Sequence, residues 1–150
     1  MKFVISALMM SFVAVILAAQ PKPSGDEFVQ EIYDNASHEL VTCSSYYRIA
    51  RGAMKKAGHI SGEAQMKEAG EQAILMAFKL ATSGRSKDMA RKVTLNRLKT
   101  EMELMKREID YDFSNISLLF KYAGPCKMYI EDPMTLMEKW KIRIAKKYGK

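Results

Sequence analysis

The sequence predicts an all-α protein, an antiparallel bundle of four to five helices closed by one intramolecular disulfide. Three observations carry that prediction. Apolar residues recur at steps of three and four along most of the chain, the spacing of one helix face. Ser, Asp and Gly stand at the ends of these periodic stretches, where caps belong. Two cysteines, Cys43 and Cys126, follow an N-terminal segment built like an export signal.

That segment begins Met1-Lys2, continues as an apolar run from Phe3 to Ala19, and gives way to Gln20-Pro21-Lys22-Pro23. Residues 1–19 read as a signal peptide cut after Ala19, or one residue earlier. An uncleaved anchor is the competing reading. The run would span about 25 Å as a helix, short of a hydrocarbon core of roughly 30 Å. Residues 20–150 then form a single domain in the periplasm or outside the cell. In an oxidising compartment Cys43 and Cys126 are expected to pair. In the chain-entropy model so long a loop is worth about 4.5 kcal/mol, an upper-end value. Neither cysteine belongs to a C-x-x-C motif.

The first helix is expected over residues 26–57. Ser24-Gly-Asp-Glu27 has capping-box spacing, and Val29, Ile32, Ala36, Leu40, Cys43, Tyr47, Ala50, Met54 and Ala57 form its stripe up to Gly58. Ser61 is the expected cap of a second helix with the stripe Met66, Ala69, Ala73, Ala77 and Leu80. The small side chains of that stripe call for close packing. Ser86 opens a third, with Ala90, Val93, Leu98, Met102, Met105 and Ile109. The polar stretch Asp110–Asn115 predicts a break there, with Ser114 as a new cap. Gly124-Pro125 is expected to end the following element, leaving Cys126 in a short helical turn. Asp132-Pro133 is a cap followed by proline at the first helical position. The last helix carries Met134, Met137, Trp140, Ile144 and Tyr148 on one face.

Charge is unevenly placed. The chain has 24 Lys+Arg against 17 Asp+Glu, and Lys2 belongs to the signal. Residues 139–150 hold Lys139, Lys141, Arg143, Lys146, Lys147 and Lys150 and no acid, so residues 20–138 are balanced. This basic end of the last helix surrounds Trp140, Ile142, Ile144 and Tyr148. It is the candidate surface for an acidic protein partner or an anionic membrane. The bland alternative is a docked helix with solvated lysines. Nucleic acid is not expected as a partner, because no array of aromatic residues offers base stacking.

Reactive constellations are sparse. Asp34 and His38 are four apart, but one pair falls short of a metal site, and His38 lies off the buried stripe. His59 reads as a loop residue. The methionines fall on core stripes, so no haem or other cofactor is expected. Cys43-Ser44-Ser45 lacks a glycine-rich elbow. Glu101, Glu103, Glu108, Asp110 and Asp112 read as a charged face, with Lys106 and Arg107 between them. Asn35-Ala-Ser37 and Asn115-Ile-Ser117 match the glycosylation pattern but fall in helical or kinked segments.

The plan of export signal, small helical domain and single bridge resembles that of periplasmic helical immunity proteins, which block peptidoglycan-cutting toxins. It is similar also to small stress chaperones of the same compartment. The sparse reactive chemistry and the bridged bundle point to a non-enzymatic binding or protective role, which a likeness of plan does not by itself fix. A dimer through exposed Met and aromatic residues of the short last elements is a further expectation.

Overall fold

The structure, a computed structural model, describes residues 24–149. The predicted signal (1–19) and Lys150 lie outside them. Five α-helices and one 3-10 segment make up the described chain: α1 (Gly25–Lys56), α2 (Ile60–Ala81), α3 (Lys87–Glu108), η1 (Phe113–Tyr122), α4 (Ala123–Glu131) and α5 (Pro133–Lys147). There is no strand among these residues, and none of the helices is long and apolar enough to cross a membrane.

α1 is the central post. Ser24 Oγ accepts from the Glu27 amide while the Glu27 carboxylate accepts from the Ser24 amide, so both halves of the predicted capping box are present. Ile32, Ala36, Leu40, Cys43, Tyr47 and Ala50 are buried as the stripe requires. The burial extends further round the helix, to Val41, Tyr46 and Ile49, because every later element packs on α1.

α2 approaches α1 closely, and the reason is chemical as well as steric. Gly70, Ala73, Ala77 and Ala81 line the contact. A Cβ on Gly70 would stand 3.3 Å from that of Tyr47. Small side chains let the backbones near enough for Ser37 Oγ to donate to the Ala77 carbonyl (2.9 Å) and Ser44 Oγ to the Gly70 carbonyl (2.8 Å). Buried hydroxyls that would otherwise be costly thus find partners. Ser61 is not the cap of this helix: His59 occupies the position with no side-chain capping bond, one residue beyond Gly58 in the left-handed conformation (φ 74°).

The connection to α3 is pinned to α1 by Arg85, whose guanidinium grips both oxygens of Asp34, one at 2.6 Å. Gly84 sits there at φ 154°, where a Cβ would fall 1.7 Å from Gln30 Oε1. Only glycine fits. Ser86 caps α3 as predicted, accepting from the Met89 amide. The buried face of α3 includes Thr94 rather than the expected Val93.

The predicted break after α3 is present, made by Asp110 and Tyr111 at φ 50° and 57°. Its cap is Asp112, whose carboxylate accepts from the amide of Ser114; Ser114 is the donor, not the cap. Gly124-Pro125 does not end an element either. It lies in the first turn of α4, where a proline's missing N–H costs nothing. That turn brings Cys126 onto the middle of α1, and the Cys43–Cys126 disulfide is formed, with Cα atoms 5.3 Å apart and both residues buried. Asp132 caps α5, with Pro133 in its first turn. Its inward face differs from the predicted one: Leu136 and Ile144 are buried, Met137 and Trp140 pack against the core, and Met134 is 72% exposed.

Candidate functional site

The structure sorts the cations of the basic tail into those held by α1 and those left free. Lys139 Nζ donates to Glu39 Oε1 and, at 2.7 Å, to the Tyr129 hydroxyl. The indole N–H of Trp140 donates to the other Glu39 oxygen at 2.7 Å. Two turns along, Lys147 Nζ donates to Glu31 Oε1 at 2.6 Å and the Tyr148 hydroxyl to Glu31 Oε2 at 2.9 Å. Glu31 and Glu39 are spaced two turns apart on α1, as Lys139 and Lys147 are on α5, and the helices run in opposite directions. One register therefore satisfies both pairs.

These contacts set the electrostatics. Burial works against the charged form of Lys139, but its bonds to Glu39 and Tyr129 outweigh that and raise its pKa above the ordinary lysine value. The hydrogen bond from Lys147 holds the Glu31 carboxyl below the ordinary glutamate value, against the opposing effect of burial. Among the described residues Lys141 has only its helix neighbour Glu138, at 3.2 Å. Arg143 and Lys146 have no carboxylate partner among the described residues. The Arg143 guanidinium instead lies over the Trp140 ring, 5.2 Å from its centroid.

Arg143 and Trp140 form one wall of a cleft of about 280 Å³ between α5 and α3, floored by Asn35, His38, Glu39 and Thr42 of α1. The other wall is Glu101 of α3, which meets His38 Nε2 at 2.9 Å. His38 sits two residues from the buried Ala36, off the stripe, and so opens into the cleft. Most of the cleft's polar groups are engaged. Thr42 Oγ1 donates to the His38 carbonyl at 3.2 Å, the Asn35 amide to the Glu31 carbonyl at 2.7 Å, and both glutamates are bonded as described. Arg143 is the cation left over, on an aromatic platform. Chemically the arrangement can receive an anionic group, since the guanidinium offers planar, paired donors to a carboxylate.

The other sequence candidates are separated by the fold. Asp34 turns to Arg85 while His38 turns to Glu101, and no group of three or more His, Cys, Asp or Glu among the described residues could hold a metal ion. Ser44 and Ser45 donate to buried carbonyls beside an oxidised Cys43. Of the acids in and just after α3, Glu103 binds Tyr111 and Arg107, Glu108 binds Lys121, and Asp112 caps η1. The Glu103 and Asp112 carboxyls lie below their ordinary values, held there by Tyr111 and Ser114 respectively. The Asn115 side chain of the second glycosylation match donates to the Ile109 carbonyl.

Sequence reasoning found the tail and missed its anchors. The signal was present in the matched two-turn spacing of Glu31 and Glu39 with Lys139 and Lys147, but it means nothing until the antiparallel pairing of α1 with α5 is known. No protein-family model, curated protein or solved structure matches this chain.

Proposed function

We propose that the chain is an exported, non-enzymatic binding or protective module that acts through protein–protein contact, in the manner of a periplasmic immunity-type inhibitor. Its cleft receives an acidic side chain of the partner. The observation that carries this reading is Arg143, a tail cation without a carboxylate partner, seated on Trp140 beside glutamates already engaged by His38, Lys139 and the indole. Arg and Trp are the residue types that dominate interface energetics. A body held rigid by a buried bridge loses little freedom on binding. The bridge also suits an oxidising, extracytoplasmic location.

The test is affinity purification from envelope extract of the producing cell, with wild type, Arg143→Glu and Lys141→Glu as baits. A stoichiometric partner held by wild type and Lys141→Glu, and at least tenfold depleted on Arg143→Glu, is expected. Equal retention on all three baits, or no stoichiometric partner, contradicts the reading.

A second reading, attachment to an anionic membrane surface, draws on the exposed Ile142 beside Lys141 and Lys146. Each cation near such a surface contributes about 1 kcal/mol. Lys139 and Lys147 are committed to α1, and Trp140 and Ile144 pack inward, so few groups remain for this purpose. Flotation with anionic vesicles tests it. Recovery should rise when Glu31→Gln and Glu39→Gln together release the two lysines, and high recovery of the wild type would favour the membrane over the protein partner.

A further inference from the structure

α2 and α5 leave a gap over the middle of α1. Among the described residues each of them packs on α1 and not on the other. The gap is a pocket of about 210 Å³, with the buried Leu40 and Leu136 at its floor and Met76, Leu80 and Met137 as half-buried walls. Lys79 is the one charged residue of the lining. It is exposed at the rim and makes no ion pair among the described residues. Apolar concavities with a few placed polar groups are where small ligands bind.

We infer that this pocket binds a free fatty acid, its alkyl chain lying between α2 and α5 and its carboxylate on the Lys79 ammonium. The polar inventory of the site selects that ligand. A docked peptide would leave its backbone groups unmatched, because the surrounding backbone is already bonded within helices. Pro133 in the lining has no N–H, and the Lys79 carbonyl accepts from Thr82 Oγ1 at 2.6 Å. A ligand with one anionic group and no other polar atom leaves nothing unpaired. The neighbouring acids do not compete for Lys79. Glu39 is held by Lys139 and Trp140, and Asp132 by the Met134 amide and the Thr135 hydroxyl.

Size and wall chemistry agree with a single chain. The pocket is smaller than the roughly 300–1,000 Å³ of sites for drug-sized molecules, which leaves no room for a sterol or a two-chain lipid. Two of its walls are methionines, whose unbranched thioether side chains repack around a flexible alkyl chain. The pocket lies at the start of α5, whereas the proposed partner cleft is built further along that helix at Trp140 and Arg143, so the inference does not rest on that reading.

Isothermal titration calorimetry of the purified, disulfide-bonded protein with sodium decanoate tests it. One equivalent is expected to bind, with a dissociation constant on the order of 100 µM. Each methylene taken out of water is worth about fourfold in affinity, so octanoate should bind roughly fifteenfold more weakly. Lys79→Glu, a change at an exposed side chain, should weaken decanoate roughly fivefold and strengthen decyltrimethylammonium, with an unchanged circular dichroism spectrum. In NMR spectra of protein with isotope-labelled methionine methyls, decanoate should move the Met76 and Met137 signals and leave that of Met54, which packs at Gly62, in place. No binding of decanoate up to ~5 mM, octanoate as tight as decanoate, Lys79→Glu with the wild-type preference for the anion, or unmoved Met76 and Met137 signals each overturn the inference.

Discussion

Replacing Glu39 by Ala should be among the most damaging single changes available on the polar side of this molecule. The Glu39 side chain is 22% exposed and its partner Lys139 28%. Truncation removes a charge-assisted bond to an ammonium and the acceptor of the only tryptophan's N–H. A hydrogen bond to a charged group is worth about 1.5–3 kcal/mol, and an orphaned buried donor costs about 1–3 kcal/mol. Water reaching the partly exposed lysine returns some of this, so about 2–3 kcal/mol is expected overall. Glu39→Gln keeps one acceptor and removes the charge, and should cost about 1 kcal/mol. Lys141→Met, which touches only an exposed helix neighbour, should stay within about 0.5 kcal/mol of wild type. Urea titration followed by Trp140 fluorescence reads both stability and site. Glu39→Ala should lower the midpoint and shift the native emission to the red as α5 loosens. A double-mutant cycle with Lys139→Met should return a coupling of about 1 kcal/mol or more. A Glu39→Ala protein within 0.5 kcal/mol of wild type, or with unchanged emission, refutes the claim that this contact docks the tail.

Further outcomes follow from the same structure. Cleaving the bridge by Cys43→Ala with Cys126→Ala should cost about 2–4.5 kcal/mol in urea titration, most of it through the unfolded chain; a loss under 1 kcal/mol would contradict its structural role. Glu31 and Asp34 both have lowered carboxyl pKa values, Glu31 through Lys147 and Asp34 because its Arg85 bonds outweigh burial. Their stabilisation is complete above the ordinary values of 4.5 and 3.8 and is lost as pH falls through the depressed ones. Wild type should therefore lose more stability between pH 6 and 3 than the Glu31→Gln/Asp34→Asn protein, and parallel losses would contradict these assignments. The Thr94 hydroxyl is buried without a hydrogen-bond partner among the described residues. Thr94→Val should raise stability by about 1 kcal/mol in the same titration, whereas a loss would point to a bond formed in solution.

How much was legible in the sequence varies by element, for physical reasons. α1 was readable because its caps and its stripe agree: Ser24 with Glu27 at one end and Gly58 at the other bracket one periodicity. α5 was readable at its start, since Asp132-Pro133 admits few other conformations. The misreadings share a cause. Gly124-Pro125 has the composition of a terminator, yet proline is equally at home in the first turn, and only the pull of Cys126 onto α1 decides between the two. Ser61 and Ser114 were eligible caps, but the chain left the preceding helices at angles that put His59 and Asp112 in those positions. The tail was visible as charge. Its division into docked and free cations was not, because that depends on which acids of α1 face α5, a tertiary fact.

The proposed contact is tested most directly by site-specific photo-crosslinking in the producing cell from position 146, exposed on α5 one turn beyond Arg143. A discrete adduct with one protein is expected, absent when the probe sits at position 65 on α2 and lost when Arg143→Glu is added. No adduct from position 146, or one indifferent to Arg143, would contradict it.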